Sequence, residues 1–144
     1  MSQPPAGQAE LQWILPVFIV EDPKATAEYY RDKLGFRICG VHGEPALYAI
    51  VDRGCGRGFH FKRTSAPLVS RQYRGPDEYA WDAYVEVKGV DALHAELKSR
   101  GARILRGPWV AEYGMKEFDV EDCNGYVLCF AEDMAPAQQD AGRE

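Results

Sequence analysis

The sequence of 144 residues lacks the patterns that mark several large classes of protein. No apolar run is long enough to span a bilayer, and the first residues, 1–5, have neither the charged nor the apolar region of a secretory signal. No HExxH, GxSxG, P-loop or GxGxxG motif occurs. We therefore expect a cytoplasmic protein without membrane contact, and without the motifs of zinc peptidases, serine hydrolases or nucleotide-binding enzymes.

Basic charge is also scarce, since 17 Lys and Arg residues stand against 22 Asp and Glu and give a net charge of −5. This balance disfavours nucleic acid as a partner, because such binding needs a basic face. It mildly favours a neutral or cationic small ligand. Cysteine is sparse and forms no CxxC motif, so we expect free thiols in a reducing compartment, at Cys39, Cys55, Cys123 and Cys129.

What the chain does contain is an internal repeat. Residues 49–61 align without a gap with residues 118–130, and Val17–Val20 aligns with Tyr84–Val87. The helical runs between these segments end in the equivalent glycines Gly35 and Gly101. A duplicated unit predicts two similar modules.

Each repeat is predicted to form a strand, a helix and three further strands. In the first repeat the helix begins at Asp22 as N-cap, with Pro23 at its first position, and ends at Gly35. In the second repeat a helix from Val90 ends at Gly101. The predicted strands are Ile14–Val20, Phe36–Gly40, Ala46–Val51, Gly58–Lys62, Trp81–Val87, Arg103–Leu105, Lys116–Val120 and Tyr126–Ala131.

The predicted fold class is therefore α+β, with two tandem βαβββ modules that form a curled mixed sheet with a cleft. Residues 1–10 and 134–144 are predicted to be loose tails around one domain over 11–133. Within this domain we assign module one to 13–62, a connection to 63–79 and module two to 80–133.

The alternation of side chains sorts the strands into two faces. One face is wholly apolar and should pack under the helices; it comprises Phe18, Val20, Val51, Phe59, Phe61, Val85, Val87, Phe118, Val120, Leu128 and Phe130. The opposite face, here called the mixed face, carries Leu15, Val17, Ile19, Tyr48, Ile50, His60, Lys62, Asp82, Tyr84, Glu86, Glu117, Asp119 and Cys129. Such a face is either solvated or wrapped around a cavity.

These segments resemble the vicinal oxygen chelate superfamily, which includes glyoxalase I, extradiol dioxygenases, fosfomycin-resistance transferases and bleomycin-resistance proteins. The resemblance covers about residues 13–133 and is greatest to the bleomycin-resistance group. It rests on residues 15–22, 29–36, 87–97, 113–120, 122–126 and 130–132. Because this scaffold hosts many chemistries, the resemblance is more specific for fold than for activity.

The resemblance implies where a divalent metal would lie, since enzymes of the superfamily take ligands from the first and last strands of each module. In this chain the four positions are Leu15, His60, Asp82 and Cys129. Leucine cannot bind a metal, so we expect no metal cofactor. The alternative is a variant site in which His60, Asp82 and Cys129 hold Zn, Ni, Fe or Mn. Without a metal, His60 lines the cleft and Cys129 is a buried apolar residue.

Bleomycin-resistance proteins are metal-free dimers that sequester a cationic ligand by aromatic stacking and acidic contacts. By this resemblance we predict a metal-independent protein that binds a flat aromatic or cationic, antibiotic-like small molecule, and a homodimer. The predicted ligand-binding residues are Tyr48, His60, Trp81, Asp82, Tyr84, Glu86, Trp109, Tyr113 and Glu117. In one alternative, the aromatic residues serve only core or dimer packing. In the other, the protein is a metal-dependent glyoxalase-like lyase or extradiol-type dioxygenase.

Overall fold

A computed structural model of the chain describes residues 6–65 and 81–134. Most of the predicted tails and of the predicted connection lie outside these residues. The elements are β1 (Val17–Val20), α1 (Pro23–Leu34), β2 (Arg37–His42), β3 (Tyr48–Asp52), β4 (Gly58–Arg63), β5 (Ala83–Glu86), α2 (Val90–Ser99), β6 (Arg103–Val110), β7 (Met115–Glu121) and β8 (Val127–Asp133). No helix in the described ranges is long and apolar enough to cross a membrane.

The strands form two four-stranded mixed sheets, with the orders β1-β4-β3-β2 and β5-β8-β7-β6. In each sheet the first strand runs parallel to the last, and the other neighbours are antiparallel. The registers agree with the sequence repeat, because Phe18 pairs with Phe61 in one sheet and Val85 pairs with Phe130 in the other. The predicted pair of βαβββ modules is confirmed.

Local sequence explains the ends of both helices. At the start of α1, the Asp22 side chain accepts a hydrogen bond from the backbone N–H of Ala25 at 3.0 Å, and Gly35 ends the helix with a positive φ of 74°. The first residue of α2 follows a glycine that has no capping side chain. Instead, Glu132 at the end of β8 accepts the N–H of Val90 at 3.0 Å, which ties the helix to its own sheet.

Some predicted strand boundaries were wrong. β1 begins at Val17 and not at Ile14, because Pro16 has no N–H to donate to the strand ladder. β5 is shorter than predicted at both ends, and β6 continues for five residues beyond Leu105, up to Val110. The other strands differ from the prediction by one or two residues at their ends.

A single hydrophobic core joins the two modules. The predicted apolar face lies wholly within it, with every member buried or partly buried. α1 adds Ala27, Tyr30 and Leu34 to this core, and α2 adds Val90 and Leu97. The two sheets therefore cover opposite sides of one core and leave their mixed faces pointing away from it.

Two polar contacts between the modules occupy equivalent places in the repeat. The Tyr30 hydroxyl on α1 donates to Asp122 Oδ2 in the β7–β8 turn at 2.7 Å. Arg53 in the β3–β4 turn pairs with Glu96 on α2 at 2.5 Å. The repeat aligns Tyr30 with Glu96 and Arg53 with Asp122. The modules thus pack against each other within the chain about a pseudo-twofold relation.

Candidate functional site

Two carboxylates are buried on the mixed face of module two. Glu117 and Asp119 lie on β7, and both are 0% exposed. Glu117 Oε2 accepts the hydroxyl of Tyr84 on β5 at 2.8 Å and the hydroxyl of Tyr113 at 2.5 Å. We call Glu117 and Asp119 the acidic pair.

Asp119 is held by an arginine that a strand irregularity brings to this face. Asp119 Oδ2 accepts a hydrogen bond from Arg106 Nε at 2.5 Å. The register of β6 shifts between Ile104, which faces Val120, and Arg106, which faces Asp119. This bulge places Ile104 towards the core and Arg106 on the mixed face, although regular alternation would put both on one side. The guanidinium carbon of Arg106 also lies 4.9 Å from the ring centroid of Trp109.

One oxygen of each buried carboxylate has no hydrogen-bond partner. These atoms are Glu117 Oε1 and Asp119 Oδ1, within the part of the chain that the structure describes. A buried polar atom without a partner costs about 1–3 kcal/mol, and native proteins contain few of them. The acidic pair is therefore prepared to accept further donors, such as an ammonium, amide or guanidinium group.

Four aromatic side chains lie around the acidic pair and keep part of their surface accessible. Trp81, Tyr84, Trp109 and Tyr113, here called the aromatic rim, are between 39% and 55% exposed. The rings of Trp81 and Tyr84 lie 5.0 Å apart, and Trp109 faces Glu117 across the β6–β7 ladder. Partly exposed aromatic rings beside buried acceptors provide stacking surface and hydrogen-bonding capacity in one place.

Burial and the nearby carboxylates determine the protonation state of Tyr84, Tyr113 and Cys129. Burial and the Glu117 carboxylate raise the pKa of the Tyr84 hydroxyl. The hydrogen bond to Glu117 raises the pKa of Tyr113 to about 12. Burial, together with Asp119, raises the pKa of the Cys129 thiol. Both tyrosines are thus neutral donors at physiological pH, and Cys129 is a protonated thiol without nucleophilic character.

Module one carries a smaller polar pair on its mixed face. The hydroxyl of Tyr48 and Nδ1 of His60 lie 2.7 Å apart, on neighbouring strands. His60 also borders a cavity of about 350 Å³ whose other walls include Trp13, Leu15 and Ile50. The structure therefore places Tyr48 and His60 together, with no recorded contact to the acidic pair. Glu86 is exposed on β5 and likewise makes no recorded contact with the acidic pair.

The residues at the four metal positions do not fit a metal site within this chain. Leu15 offers no donor atom, and Asp82 uses Oδ2 to accept the N–H of Val127 at 2.8 Å, which extends the β5–β8 pairing. Cys129 is fully buried and its pKa is raised. Across residues 6–65 and 81–134, no three His, Cys, Asp or Glu side chains are grouped to hold an ion. The expected absence of a metal stays a prediction.

The structure unites five predicted ligand-binding residues, Trp81, Tyr84, Trp109, Tyr113 and Glu117. Sequence reasoning missed Arg106, which alternation from Ile104 assigns to the core side. The only available signal was the arginine itself, which follows the apolar pair Ile104 and Leu105; the bulge that brings it to Asp119 is visible only in three dimensions.

Comparison with known proteins identifies the family. Residues 11–130 match the model of the Glyoxalase/Bleomycin resistance protein/Dioxygenase superfamily, and the chain belongs to this superfamily. No curated protein matches the chain.

Solved structures share the fold at low sequence identity. TioX from Micromonospora sp. ML1 is 20% identical with a TM-score of 0.64, over 84% of this chain and 99% of its own. A glyoxalase-related enzyme from Clostridium phytofermentans is 20% identical with a TM-score of 0.65, over 90% of this chain and 99% of its own. A bleomycin-binding protein complexed with bleomycin is 19% identical with a TM-score of 0.63, over 85% of this chain and 98% of its own. At such identities these likenesses show the fold alone.

Proposed function

We propose that this protein binds and sequesters a small molecule without a metal, in the manner of the bleomycin-resistance group, and that it is not an enzyme. The ligand is a flat aromatic or cationic compound bound on the mixed face of module two. One observation carries the proposal: the acidic pair presents two buried oxygens that have no partner among residues 6–65 and 81–134, beside the partly exposed aromatic rim.

The two parts of this site favour the same kind of ligand. Stacking on an aromatic side chain contributes about 0.5–1.5 kcal/mol beyond burial of area. A cation over such a ring gains about 0.5–2 kcal/mol, and more where water is excluded. A donor that reaches Glu117 Oε1 also removes the penalty of an unpartnered buried oxygen. A planar cation with N–H groups uses all three contributions.

The structural neighbour that holds bleomycin supports this proposal, since that protein binds its ligand on the same fold. The chemistry of the metal positions supports it as well, because Leu15 offers no donor atom, Asp82 accepts a backbone N–H and Cys129 is a buried thiol. Cys129 on the mixed face does not serve as a nucleophile, because its thiol is buried and its pKa is raised.

Fluorescence titration tests the proposal with metal-free bleomycin and with proflavine, a planar cationic dye. Trp81 and Trp109 lie in the rim, so we expect saturable quenching by at least one probe. Glu117→Gln should weaken this binding tenfold or more, while the exposed Glu112→Gln should leave it unchanged. Failure of both probes to bind, or equal binding by the two variants, would count against the site.

Metal content separates this function from the alternative lyase or dioxygenase. Elemental mass spectrometry of desalted protein should find no stoichiometric metal, before and after soaking with Zn, Ni, Fe or Mn. About one ion per chain, lost in His60→Ala, would instead support the metal-dependent alternative.

A homodimer is part of the proposal. Leu11, Trp13 and Ile14 are 85%, 70% and 86% exposed, and Val17 and Ile19 on β1 are also exposed. Exposed apolar side chains that lie close together in the sequence are typical of a protein interface. Light scattering coupled to size exclusion should give the mass of two chains; the mass of one chain would contradict it. A cytoplasmic location remains a prediction.

A further inference from the structure

A groove of about 670 Å³ opens between the β3–β4 turn and the edge strand β5. Its walls are mainly apolar and include Phe59, Val85, Leu93 and Phe130, with Arg57 on the side of the turn. It adjoins the aromatic rim at Tyr84, but neither member of the acidic pair lines it. The groove therefore shares Tyr84 with the aromatic rim but does not include the acidic pair, and Trp13 and Ile14 also line it.

The internal repeat shows what fills the equivalent place in the other half of the molecule. There, the ring of Tyr126 stacks on Phe18 with centroids 4.2 Å apart and planes 15° from parallel. Its hydroxyl donates to the carbonyl oxygen of Ile19 at 2.6 Å. The β7–β8 turn is therefore closed onto the edge strand β1 by one aromatic side chain.

The repeat aligns Tyr126 with Arg57, Phe18 with Val85, and Ile19 with Glu86. The backbone supports this equivalence, since the N–H of Asp122 bonds to the carbonyl of Tyr126 at 2.8 Å, as Arg53 does to Arg57 at 2.9 Å. An arginine thus stands where the other half has a ring, and the groove lies at the place the ring would occupy.

Four charged residues line the groove, namely Arg53, Arg57, Asp82 and Glu86. Asp82 accepts the N–H of Val127, and Glu86 lies on the mixed face of β5, on the opposite side of the strand from Val85. Arg53 is committed to Glu96 through two hydrogen bonds and to carbonyl oxygens at the end of α1. Arg57 is exposed, and its side chain has no ion pair or hydrogen bond recorded within residues 6–65 and 81–134. An uncommitted guanidinium at the mouth of an apolar groove suits a carboxylate on an apolar body.

We propose that this groove binds a small phenolic carboxylic acid. Its ring takes the place that Tyr126 takes in the other half, and packs against Val85 and Phe59. Its carboxylate pairs with Arg57, and its hydroxyl donates to the Glu86 carbonyl, as Tyr126 does to Ile19. The volume of about 670 Å³ lies within the range of small-molecule sites, about 300–1,000 Å³.

Isothermal titration calorimetry with 3-(4-hydroxyphenyl)propanoate tests the proposal, because this compound reproduces a tyrosine side chain with an added carboxylate. We expect saturable binding that weakens at least tenfold with 4-ethylphenol, which lacks the carboxylate, and with tyramine, which is a cation. Arg57→Gln should weaken binding of the acid at least tenfold. The matched control Arg31→Gln removes an exposed arginine of α1, paired with Asp32, and should change nothing.

Arg57→Tyr supplies the missing ring from the chain itself. This variant should lose binding while raising the melting temperature, so it separates a filled groove from a misfolded protein. Arg57→Gln should leave the binding of proflavine beside the acidic pair unchanged, which distinguishes the groove from the site of the proposed function. The inference is overturned if the acid does not bind saturably, or if Arg57→Gln binds as the wild type does. It is also overturned if Arg57→Tyr dissociates a dimer, since a second copy would then occupy the groove.

Discussion

Removal of one buried hydroxyl tests how the two modules are held together. Tyr30→Phe keeps the ring in the core but removes the hydroxyl that donates to Asp122 Oδ2 at 2.7 Å. Asp122 is 5% exposed, so water does not easily replace the lost bond. A hydrogen bond to a buried charged group contributes about 2 kcal/mol. For a chain near this length, that lowers the melting temperature by roughly 4–8 °C.

The neighbouring residue provides the control. The hydroxyl of Tyr29 lies 3.5 Å from the carbonyl oxygen of Glu121, at the limit of a hydrogen bond. Tyr29→Phe removes the same atom from the same helix and should change the free energy of unfolding by less than about 0.5 kcal/mol. Urea denaturation of both variants measures the difference.

The pH dependence gives a second test of the Tyr30 variant. Burial raises the pKa of Asp122, whereas the Tyr30 hydroxyl favours the carboxylate and acts in the opposite direction. The folded state therefore binds this proton more tightly than the unfolded state. The contribution of Asp122 to stability is present below the pKa of the unfolded carboxyl group and falls as pH rises through the higher pKa of the folded state. Loss of the hydroxyl raises the pKa further, so the deficit of Tyr30→Phe should be largest at neutral pH and shrink in acid. Equal destabilisation by the two variants, or a deficit independent of pH, would refute the reasoning.

Further predictions concern the second inter-module contact and the site. Glu96→Gln should lower the free energy of unfolding by about 1 kcal/mol, because its pair with Arg53 is partly exposed. Arg53 holds the pKa of Glu96 at about 2, so wild-type protein should lose this stability as pH falls towards 2 in urea titrations; an identical acid slope in the variant would contradict this. Glu117→Gln should lower the pKa of Tyr113 from about 12 towards the usual tyrosine value in an ultraviolet titration, and an unchanged pKa would disprove the hydrogen bond. Cys129 should be alkylated only after unfolding, by mass spectrometry; labelling at the rate of the exposed cysteines would disprove its burial.

The repeat made the fold predictable from sequence. The core face was assigned correctly because both halves carry apolar residues at the same alternate positions, such as Val51 and Val120. The ends of α1 were correct because Asp22, Pro23 and Gly35 act locally on the backbone. Strand ends were less predictable, since they depend on which neighbour supplies the hydrogen bonds.

The candidate site was predictable only in part. Glu117 and its aromatic neighbours fall on one face by alternation, so their common location could be expected. Burial of Glu117 and the approach of Arg106 could not, because the first depends on Tyr113, which lies outside any strand, and the second on a bulge in β6. Asp82 was predicted to bind ligand from its position alone; its side chain also accepts the N–H of Val127 and so extends the β5–β8 pairing, and its ligand-binding role stays a prediction.

The sequences of the two modules differ on the mixed face, where packing against the shared core does not constrain them. Phe61 and Phe130 remain alike, because both modules pack against one shared core and that core constrains each copy. The mixed face has no such constraint, and there the repeat aligns Glu117 with Tyr48 and Asp119 with Ile50. The acidic pair is unfavourable for folding, since a buried carboxylate oxygen with no partner among the described residues lowers stability. The divergence between equivalent positions of one chain therefore supports the binding site proposed for module two.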